Sequence, residues 1–223
     1  MFGPARSKCG FIEKSLYREG FISIIGVDEA GRGPLAGPVV AAAVSLPRNH
    51  RIRGIDDSKK LSRSKREKLY GEIMLRNPFF GIAAVGPEEI DRINILQAAR
   101  LAMKRAVSIL FEKIGKQSGS EVCARAEDFI IIVDGNQAID VDPATPQRCY
   151  VSGDSRSENI AAASILAKVE RDRVMDEIHR EFPQYGFDRN RGYPTKEHIE
   201  ALRQYGAAPY HRRSFRHVHD PTP

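Results

Sequence analysis

Cysteine is scarce in this sequence, and its arrangement argues against two classes of protein. Three cysteines, Cys9, Cys123 and Cys149, are spread over 223 residues. They form no CxxC pair and no Cys/His spacing of the kind that holds zinc. The sequence therefore indicates neither a disulfide framework nor a structural zinc site.

Long apolar runs are also missing. The longest apolar stretches, such as VVAAAVSL and FIIIVD, are strand-sized and fall well short of the roughly 20 residues that span a bilayer. The N-terminal MFGPARSKCGFIEKSLYREG is charged and holds no apolar stretch typical of a secretory signal. We therefore expect no membrane segment and a cytoplasmic protein.

The chain also lacks internal repeats and long low-complexity stretches. Its 223 residues, 41% of them hydrophobic, suffice for one domain with a buried core. Lysine and arginine number 35 against 29 acidic residues, which gives a formal charge of +6 and a pI of about 9.3. A basic balance favours a polyanionic partner, although many basic proteins bind no nucleic acid.

Apolar runs and helical spacing predict the secondary structure. Strands are predicted at Ile22–Asp28, Pro38–Leu46, Phe79–Val85, Phe129–Asp134 and Cys149–Gly153. Helices are predicted at Ser62–Arg76 (with a capping box from Ser64 and Glu67), Asn94–Leu110, Glu158–Arg180 and Lys196–Tyr205 (ended by Gly206). The glycine-rich turn after the first strand predicts an antiparallel pair. Residues 115–127 are expected to form a surface loop, and the tail from Arg212 onward is basic. This order predicts an α/β fold with a partly antiparallel sheet.

Acidic residues follow three of the predicted strands. Asp28 and Glu29 end the first strand, Asp134 ends FIIIVD, and Asp154 follows the short CYVS strand. Strand ends in one sheet lie close together, and carboxylates gathered there repel one another unless they are protonated or bridged by a cation. Oxygen ligands suit Mg²⁺ or Mn²⁺, and two such ions can hydrolyse a phosphodiester.

Two considerations oppose this interpretation. An aspartate after a strand commonly starts a turn or caps a helix. Neighbouring strand residues also point to opposite faces, so Asp28 and Glu29 cannot both face one site from a regular strand. Gly31 and Gly33 would have to let the chain twist for Glu29 to turn inward.

Ordered motifs along the chain resemble those of the ribonuclease HII family. They are DEAGRGPLAGP (28–38), DSKKLS (57–62), EIDRINILQAARLAM (89–103), VDGN (133–136), GDSRSENIAAASILAKVERD (153–172), GYPT (192–195) and HRRSF (211–215). The motifs stand in family order over nearly the whole chain. A lone GRG would be weak evidence, whereas this ordered set is highly specific.

The resemblance implies the fold and the catalytic acids. We expect an α/β, RNase H-like mixed β-sheet flanked by helices over residues 1–185, and a small helical C-terminal part over 186–223 that completes the substrate site. The resemblance implies that Asp28, Glu29, Asp134 and Asp154 hold the metal ions and are catalytic. Asp172 is a rival fourth ligand, but its place on a helix beside two arginines favours a structural role.

Substrate contacts are implied by the same motifs. The 2′-hydroxyl distinguishes a ribose within a DNA-like duplex, and Gly31-Arg32-Gly33 lets the backbone approach it closely. The same glycines also suit a tight turn. Tyr193 matches the family's tyrosine that stacks on the deoxyribose after the ribonucleotide. Residues 189–191 read Arg-Asn-Arg where His-Lys is more usual, and basic character is kept.

Phosphate contacts are expected from Lys59, Lys60, Ser164 and Lys168, because ammonium groups bind the backbone without reading bases. Lys168 could equally lie on a solvated helix face. The residues His211, Arg212 and Arg213 could bind the nucleic-acid backbone or pack the C-terminus, and we do not assign them to catalysis.

The resemblance implies an endonuclease that cuts the RNA strand of RNA–DNA hybrids. It implies nicking of DNA on the 5′ side of an embedded ribonucleotide, with 3′-hydroxyl and 5′-phosphate ends and Mg²⁺ or Mn²⁺ as cofactor. One alternative is a ribonuclease HIII-like enzyme that prefers longer RNA tracts. That family carries an extra N-terminal substrate-binding domain, for which the 27 residues before Asp28 are expected to be too few. Another is a non-catalytic hybrid-binding protein on the same fold, for which loss of a carboxylate would be expected. A monomer is the expected state, and a replication or transcription partner stays open.

Overall fold

A computed structural model describes residues 10–117 and 126–219 of the chain. Within these ranges the strands are Ser23–Ala30 (β1), Val39–Val44 (β2), Phe80–Val85 (β3), Phe129–Asp134 (β4) and Gln147–Tyr150 (β5). The α-helices are Phe11–Arg18 (α1), Arg63–Arg76 (α2), Pro87–Ile93 (α3), Ile95–Gln117 (α4), Glu158–Glu181 (α5), Phe187–Asn190 (α6), Lys196–Tyr205 (α7) and Arg216–His219 (α8). Single turns of 3-10 helix lie at Ala126–Asp128, Gly153–Ser155 and Pro183–Tyr185.

The five strands form one mixed sheet in the order β3-β2-β1-β4-β5. β1 and β2 pair antiparallel, as the sequence predicts, and β2 pairs antiparallel with β3. β1 and β4 pair parallel, as do β4 and β5. The carboxyl ends of β1, β4 and β5 therefore share one edge of the sheet. The predicted α/β fold with a partly antiparallel sheet is confirmed.

Two apolar layers cover the sheet, because alternate residues of each strand face opposite sides. In β2, Ala41 and Ala43 face the core that α4 closes. The neighbouring Ala42 and Val44 face a second core, which α2 and α5 close. Both cores are rich in alanine and branched apolar residues, so the two long helices pack directly on the central strands.

A close helix–sheet approach occurs where α5 crosses β1. A Cβ atom on Gly26 would overlap the backbone of Asn159 at the start of α5. The Asn159 side chain accepts a hydrogen bond from the Leu46 amide at 2.7 Å, and its own amide donates to the buried Glu13 at 3.0 Å. This junction fixes the helix that borders the candidate site.

The C-terminal helices pack in a separate apolar cluster. Met175 and Ile178 near the end of α5 contact Phe187 and Leu202 there. Leu35 and Ala36 of the β1–β2 connection belong to the same cluster. The C-terminal part therefore touches the glycine-rich segment directly, while the proposed division at residue 185 stays a prediction.

The structure corrects several local predictions. The fifth strand ends at Tyr150, and the residues up to Gly153 form a turn. The helix at Arg63 is capped by Ser62, which accepts from the Lys65 amide at 3.3 Å, so the capping box predicted from Ser64 and Glu67 is wrong. The sequence also missed α1 and α3, whose short amphipathic patterns are weak signals.

Helix α4 continues to Gln117, so residues 115–117 are helical and the surface loop predicted there is wrong. The predictions on Cys9, on Cys123, on residues 118–125 and on the last four residues fall outside the described residues. Cys149 is a free, half-buried thiol. No helix in the described ranges is both long and apolar enough to cross a membrane.

Candidate active site

Three carboxylates meet at the carboxyl edge of the sheet. Asp28 lies near the end of β1, Asp134 ends β4, and Asp154 lies in the 3-10 turn after β5. One oxygen atom from each of these side chains lies within 4.8 Å of the others. The structure thus brings together three of the four acids that the sequence singles out, and we call them the carboxylate group.

Hydrogen bonds orient these side chains. Asp28 Oδ1 accepts from the Glu29 amide at 2.7 Å, and the nearby Ser164 hydroxyl lowers the pKa of Asp28. Asp134 Oδ1 accepts from the Gly153 amide at 2.7 Å, which joins the end of β4 to the turn that holds Asp154. The turn therefore delivers the third acid to the edge formed by the other two.

Burial makes the carboxylate group electrostatically costly. Asp28 is only 5% exposed, and burial raises the pKa of its carboxyl well above its ordinary value, with further increases from the charges of Glu29 and Asp134. Burial likewise raises the pKa of Asp154, and the Asp134 charge adds to that increase. Like charges held this close favour proton uptake or a bound cation.

The residues present fit a divalent cation. The ligand atoms are all carboxylate oxygens, which are the ligands that Mg²⁺ and Mn²⁺ prefer. Asp28 and Asp154 are both nearly inaccessible to water, at 5% and 4% exposed. A cation would relieve the repulsion that raises their pKa values.

Glu29 lies beside the carboxylate group but is not a member of it. It stays in the regular strand, where it pairs with Ala41, and its carboxylate contacts Arg32 Nη1 at 3.4 Å. Burial raises the pKa of Glu29, whereas Arg32 lowers it and Asp134 raises it further. Glu29 therefore lies outside the three-acid group, although it borders the cavity next to Asp28. Its role as a metal ligand stays a prediction.

A cavity of about 230 Å³ opens next to Asp28. It brings together most of the predicted substrate-binding residues, namely Gly31, Arg32, Gly33, Lys59, Ser164, Lys168 and Tyr193. Ser58 and Arg171, which the sequence analysis did not select, also border it. We call this space the substrate cavity.

One face of α5 supplies three of the residues around the cavity. Ser164, Lys168 and Arg171 follow at i, i+4 and i+7, which places them on one side of a helix. Lys168 Nζ pairs with Asp172 Oδ1 at 2.6 Å, and burial lowers the pKa of this lysine. Lys168 is therefore not on a solvated face. Asp172, the rival fourth metal ligand, pairs with Lys168 and lies outside the carboxylate group.

The two lysines of the DSKKLS motif lie differently. Lys59 borders the cavity, is 82% exposed, and approaches Asp154 Oδ2 at 3.8 Å. Lys60 does not border the cavity and lies within 4 Å of Asp56 and Asp57. Of these two lysines, only Lys59 is therefore placed to contact a molecule bound at the carboxylate group.

Tyr193 is held from its backbone while its ring stays 46% exposed at the cavity. Its carbonyl lies 2.9 Å from His198 Nδ1, and His198 Nε2 lies 3.0 Å from His211 Nε2. His211 Nδ1 accepts from the Ala208 amide at 2.9 Å. These contacts fit two neutral rings that donate in one direction, from His211 to His198 to the Tyr193 carbonyl.

Sequence reasoning missed two residues beneath the cavity. Arg171 and Arg212 are 1% and 0% exposed and donate to carbonyl groups of the glycine-rich connection. The helical spacing from Ser164 was a usable signal for Arg171. Arg212 offered no such signal, because a basic residue near the C-terminus is usually solvated.

Comparison with known proteins agrees with this geometry. The family model for ribonuclease HII matches residues 25–218. A ribonuclease HII from Caldanaerobacter subterraneus subsp. tengcongensis is 51% identical over 206 residues, which cover 92% of this chain and 78% of that protein. Another from Ruegeria pomeroyi is 49% identical over 208 residues, covering 93% and 82%.

Solved structures share the fold. The ribonuclease H2 from Pyrococcus horikoshii OT3 superposes with a TM-score of 0.67 at 27% identity, covering 89% of this chain and 96% of that one. An RNase HIII (Bst-RNase HIII), solved in complex with Mn²⁺, gives a TM-score of 0.68 over 92% of this chain and 70% of that one, but at 20% identity it shows the fold alone. The expected RNase H-like fold is confirmed. With its motifs, its carboxylate group and its relatives in agreement, the chain belongs to the ribonuclease HII family and is a ribonuclease H enzyme.

Proposed function

We propose that this chain cuts the RNA strand of RNA–DNA hybrids and nicks DNA on the 5′ side of an embedded ribonucleotide. The products would carry a 3′-hydroxyl and a 5′-phosphate. One observation carries the proposal: Asp28 of the carboxylate group borders the same cavity as the Gly31–Gly33 segment and Tyr193. Phosphodiester chemistry and recognition of the sugar would then take place side by side.

Asp28, Asp134 and Asp154 would hold a divalent cation, Mg²⁺ or Mn²⁺, and Glu29 would complete the ligand set. When bound, such cations supply positive charge that activates the attacking water and stabilises the leaving oxygen. The Ser164 hydroxyl would favour the charged form of Asp28, whose pKa it lowers. The buried position of Asp28 keeps bulk water from competing for its oxygens.

The other cavity residues would bind and orient the duplex. Lys59 is exposed and basic, which suits a backbone phosphate near Asp154. Gly31, Arg32 and Gly33 would approach the ribose, since no bulky side chain at either glycine stands in the way. The Tyr193 ring is exposed enough to stack on the following sugar.

The experiment that tests this function uses a duplex with one ribonucleotide in an otherwise all-DNA strand. The protein is incubated with Mg²⁺ and, separately, with Mn²⁺, and a chelator serves as control. Asp28→Asn is the test variant, and Asp140→Asn is the matched control because Asp140 is an exposed acid that pairs with Lys104 elsewhere on the surface. We expect a metal-dependent nick 5′ of the ribonucleotide, lost in Asp28→Asn and kept in Asp140→Asn.

Other results would change the assignment. Cutting of a hybrid with a continuous RNA strand, without nicking at the single ribonucleotide, would favour an RNase HIII-like preference for longer tracts. Binding of both substrates without cutting would overturn the nuclease and leave a hybrid-binding protein. An RNase HII from Archaeoglobus fulgidus was solved in complex with PCNA, whereas a monomer and an unidentified replication or transcription partner remain our predictions for this chain.

A further inference from the structure

Two buried arginines lie beneath the segment that borders the substrate cavity. Arg171 and Arg212 are the largest of the fully buried side chains. Neither forms a salt bridge with any acid in residues 10–117 or 126–219. Burial lowers the pKa of Arg171 to about 10 and that of Arg212 to about 9, so both stay charged at neutral pH.

Arg212 directs its guanidinium at three carbonyl groups of one connection. It donates to Gly31 O at 2.6 Å, to Arg32 O at 3.0 Å, and to Gly37 O at 2.9 and 3.0 Å. The Arg212 amide itself donates to Leu35 O at 2.8 Å. One residue of the C-terminal segment therefore engages nearly the whole β1–β2 connection.

Arg171 engages the same connection from α5. It donates to Pro38 O at 3.1 Å and to Ala36 O at 3.2 Å, and also to Arg191 O at 3.0 Å. Gly31 has a φ of 102°, and a Cβ atom there would overlap Arg171 Nε. Glycine at this position is thus required both by the backbone conformation and by the guanidinium behind it.

The two guanidinium groups leave the other side of the segment free. The carbonyls of Gly31 and Arg32 are bound from behind, whereas the amides of Arg32 and Gly33 find no acceptor in the described part of the chain. Both residues border the substrate cavity. Unpaired amides over buried positive charge form a site for an oxygen acceptor, such as a phosphate or a sugar hydroxyl.

We propose that Arg171 and Arg212 are positioning residues, which hold the Gly31–Pro38 segment so that its free amides discriminate a ribonucleotide from a deoxyribonucleotide. The inference rests on the proposed function. Burying an unpaired charge costs several kcal/mol, and apolar residues of similar volume would fill the space without that cost. Charge-assisted bonds to five carbonyls fix the backbone far more tightly than apolar packing does.

The test compares binding of two duplexes that differ by a single 2′-hydroxyl. Dissociation constants are measured with Ca²⁺ for the duplex with one ribonucleotide and for its all-DNA counterpart. The variants are Arg212→Lys and Arg171→Lys, since lysine keeps the charge but cannot make the forked contacts. Arg180→Lys is the matched control, an exposed arginine on the same helix as Arg171. Mn²⁺ binding and the melting temperature are recorded for each protein.

We expect both test variants to lose about tenfold or more of the preference for the ribonucleotide duplex, as the loss of a charged hydrogen bond predicts. Their Mn²⁺ affinity should match that of the unmodified chain, because the carboxylate group is untouched. Arg180→Lys should keep the full preference.

Three outcomes overturn the inference. If the unmodified chain prefers and nicks the ribonucleotide duplex and the folded lysine variants do so equally well, the inference fails while the proposed function stands. If both variants are unfolded at the assay temperature, the arginines support the fold rather than the recognition segment. If the unmodified chain neither nicks nor prefers the ribonucleotide duplex, the proposed function fails and the inference fails with it.

Discussion

Two groups of like charge each contribute one residue to the lining of the substrate cavity, Asp28 and Arg171, and they differ in how their charges are satisfied. The carboxylate group of Asp28, Asp134 and Asp154 gathers oxygens within 4.8 Å, and burial raises the pKa of Asp28 and Asp154. Arg171 and Arg212 are buried as well, but their guanidinium N–H groups donate hydrogen bonds to main-chain carbonyls.

The carboxylate group is therefore a binding site, whereas Arg171, Arg212 and the Gly31–Pro38 segment that they hold form a scaffold. The acids repel one another and gain by taking up a cation, so their arrangement costs stability until a ligand arrives. The arginines already have their partners and stabilise the segment that they hold. Substitutions should therefore act in opposite directions on stability in the two groups.

The largest effect is expected for Asp28→Asn. Removing one metal-binding carboxylate should lower the rate of nicking by about a thousandfold or more. The same change should raise the melting temperature of the metal-free protein, because a buried charge and its repulsion with Asp134 disappear. Single-turnover cleavage and thermal unfolding in chelator measure the two effects. If Asp28→Asn proves less stable than the unmodified chain, the expected opposite effects on stability are contradicted.

Arg212→Met should have the opposite effect on stability. The carbonyls of Gly31, Arg32 and Gly37 would lose their donors, and the Gly37 carbonyl would stay buried without one, so we expect the free energy of unfolding to fall by about 4 kcal/mol. Urea unfolding in chelator gives the value. An unchanged midpoint would show that the guanidinium stabilises nothing.

Gly31→Ala should damage the scaffold from the other side. The methyl group would overlap Arg171 Nε and come within 2.8 Å of Pro38 O, and alanine is strained at a φ of 102°. The expected loss is about 3 kcal/mol, read from the same urea experiment. Gly71→Ala is the control, because a Cβ atom there meets nothing within 4 Å. Equal stability of both variants would refute the close packing.

Adding metal should stabilise the carboxylate group but leave the scaffold unchanged. With free Mg²⁺ or Mn²⁺ at a hundredfold excess over its dissociation constant, the free energy of unfolding should rise by about 2.7 kcal/mol. Differential scanning calorimetry across a metal titration measures it. Arg212→Met should show the same gain, whereas Asp28→Asn should show much less. A gain that Asp28→Asn retains in full would place the metal elsewhere.

The smallest effect is expected from the His198–His211 pair that supports Tyr193. Burial lowers the pKa of His211 to about 4, below its ordinary 6.5, so the unfolded chain binds protons more readily. The stability from neutral His211 is therefore complete above pH 6.5 and is lost as the pH falls toward 4. We expect a loss on the order of 2 kcal/mol between pH 7 and pH 5.

The acids of the carboxylate group titrate in the opposite sense, since their pKa values are raised. The comparison must therefore be made between the unmodified chain and His211→Gln at each pH. Their stability difference should shrink from pH 7 to pH 4. A constant difference over that range would mean that His211 does not titrate against folding.

Much of the sheet and of the catalytic edge could be predicted from the sequence. Asp28 and Asp134 each end a short apolar run rich in branched residues, which indicates a buried strand, and the pattern thereby predicts their shared edge. The alternation along β1 left open whether Glu29 could turn toward Asp28; in the structure Glu29 lies outside the carboxylate group but borders the same cavity as Asp28. Asp154 was harder, because its strand is short and its position depends on a turn rather than on strand geometry.

The sequence by itself determined which chemical features follow one another along the chain. These are apolar strands that end in acids, a glycine-rich segment between them, and a basic helix face. These features are local, so neighbouring residues suffice to reveal them. Only the tertiary structure decided that Arg212 reaches back to Gly31 and that His211 supports Tyr193 through His198. A buried charge and a solvated one look alike in sequence, because burial depends on which distant segments pack over a side chain.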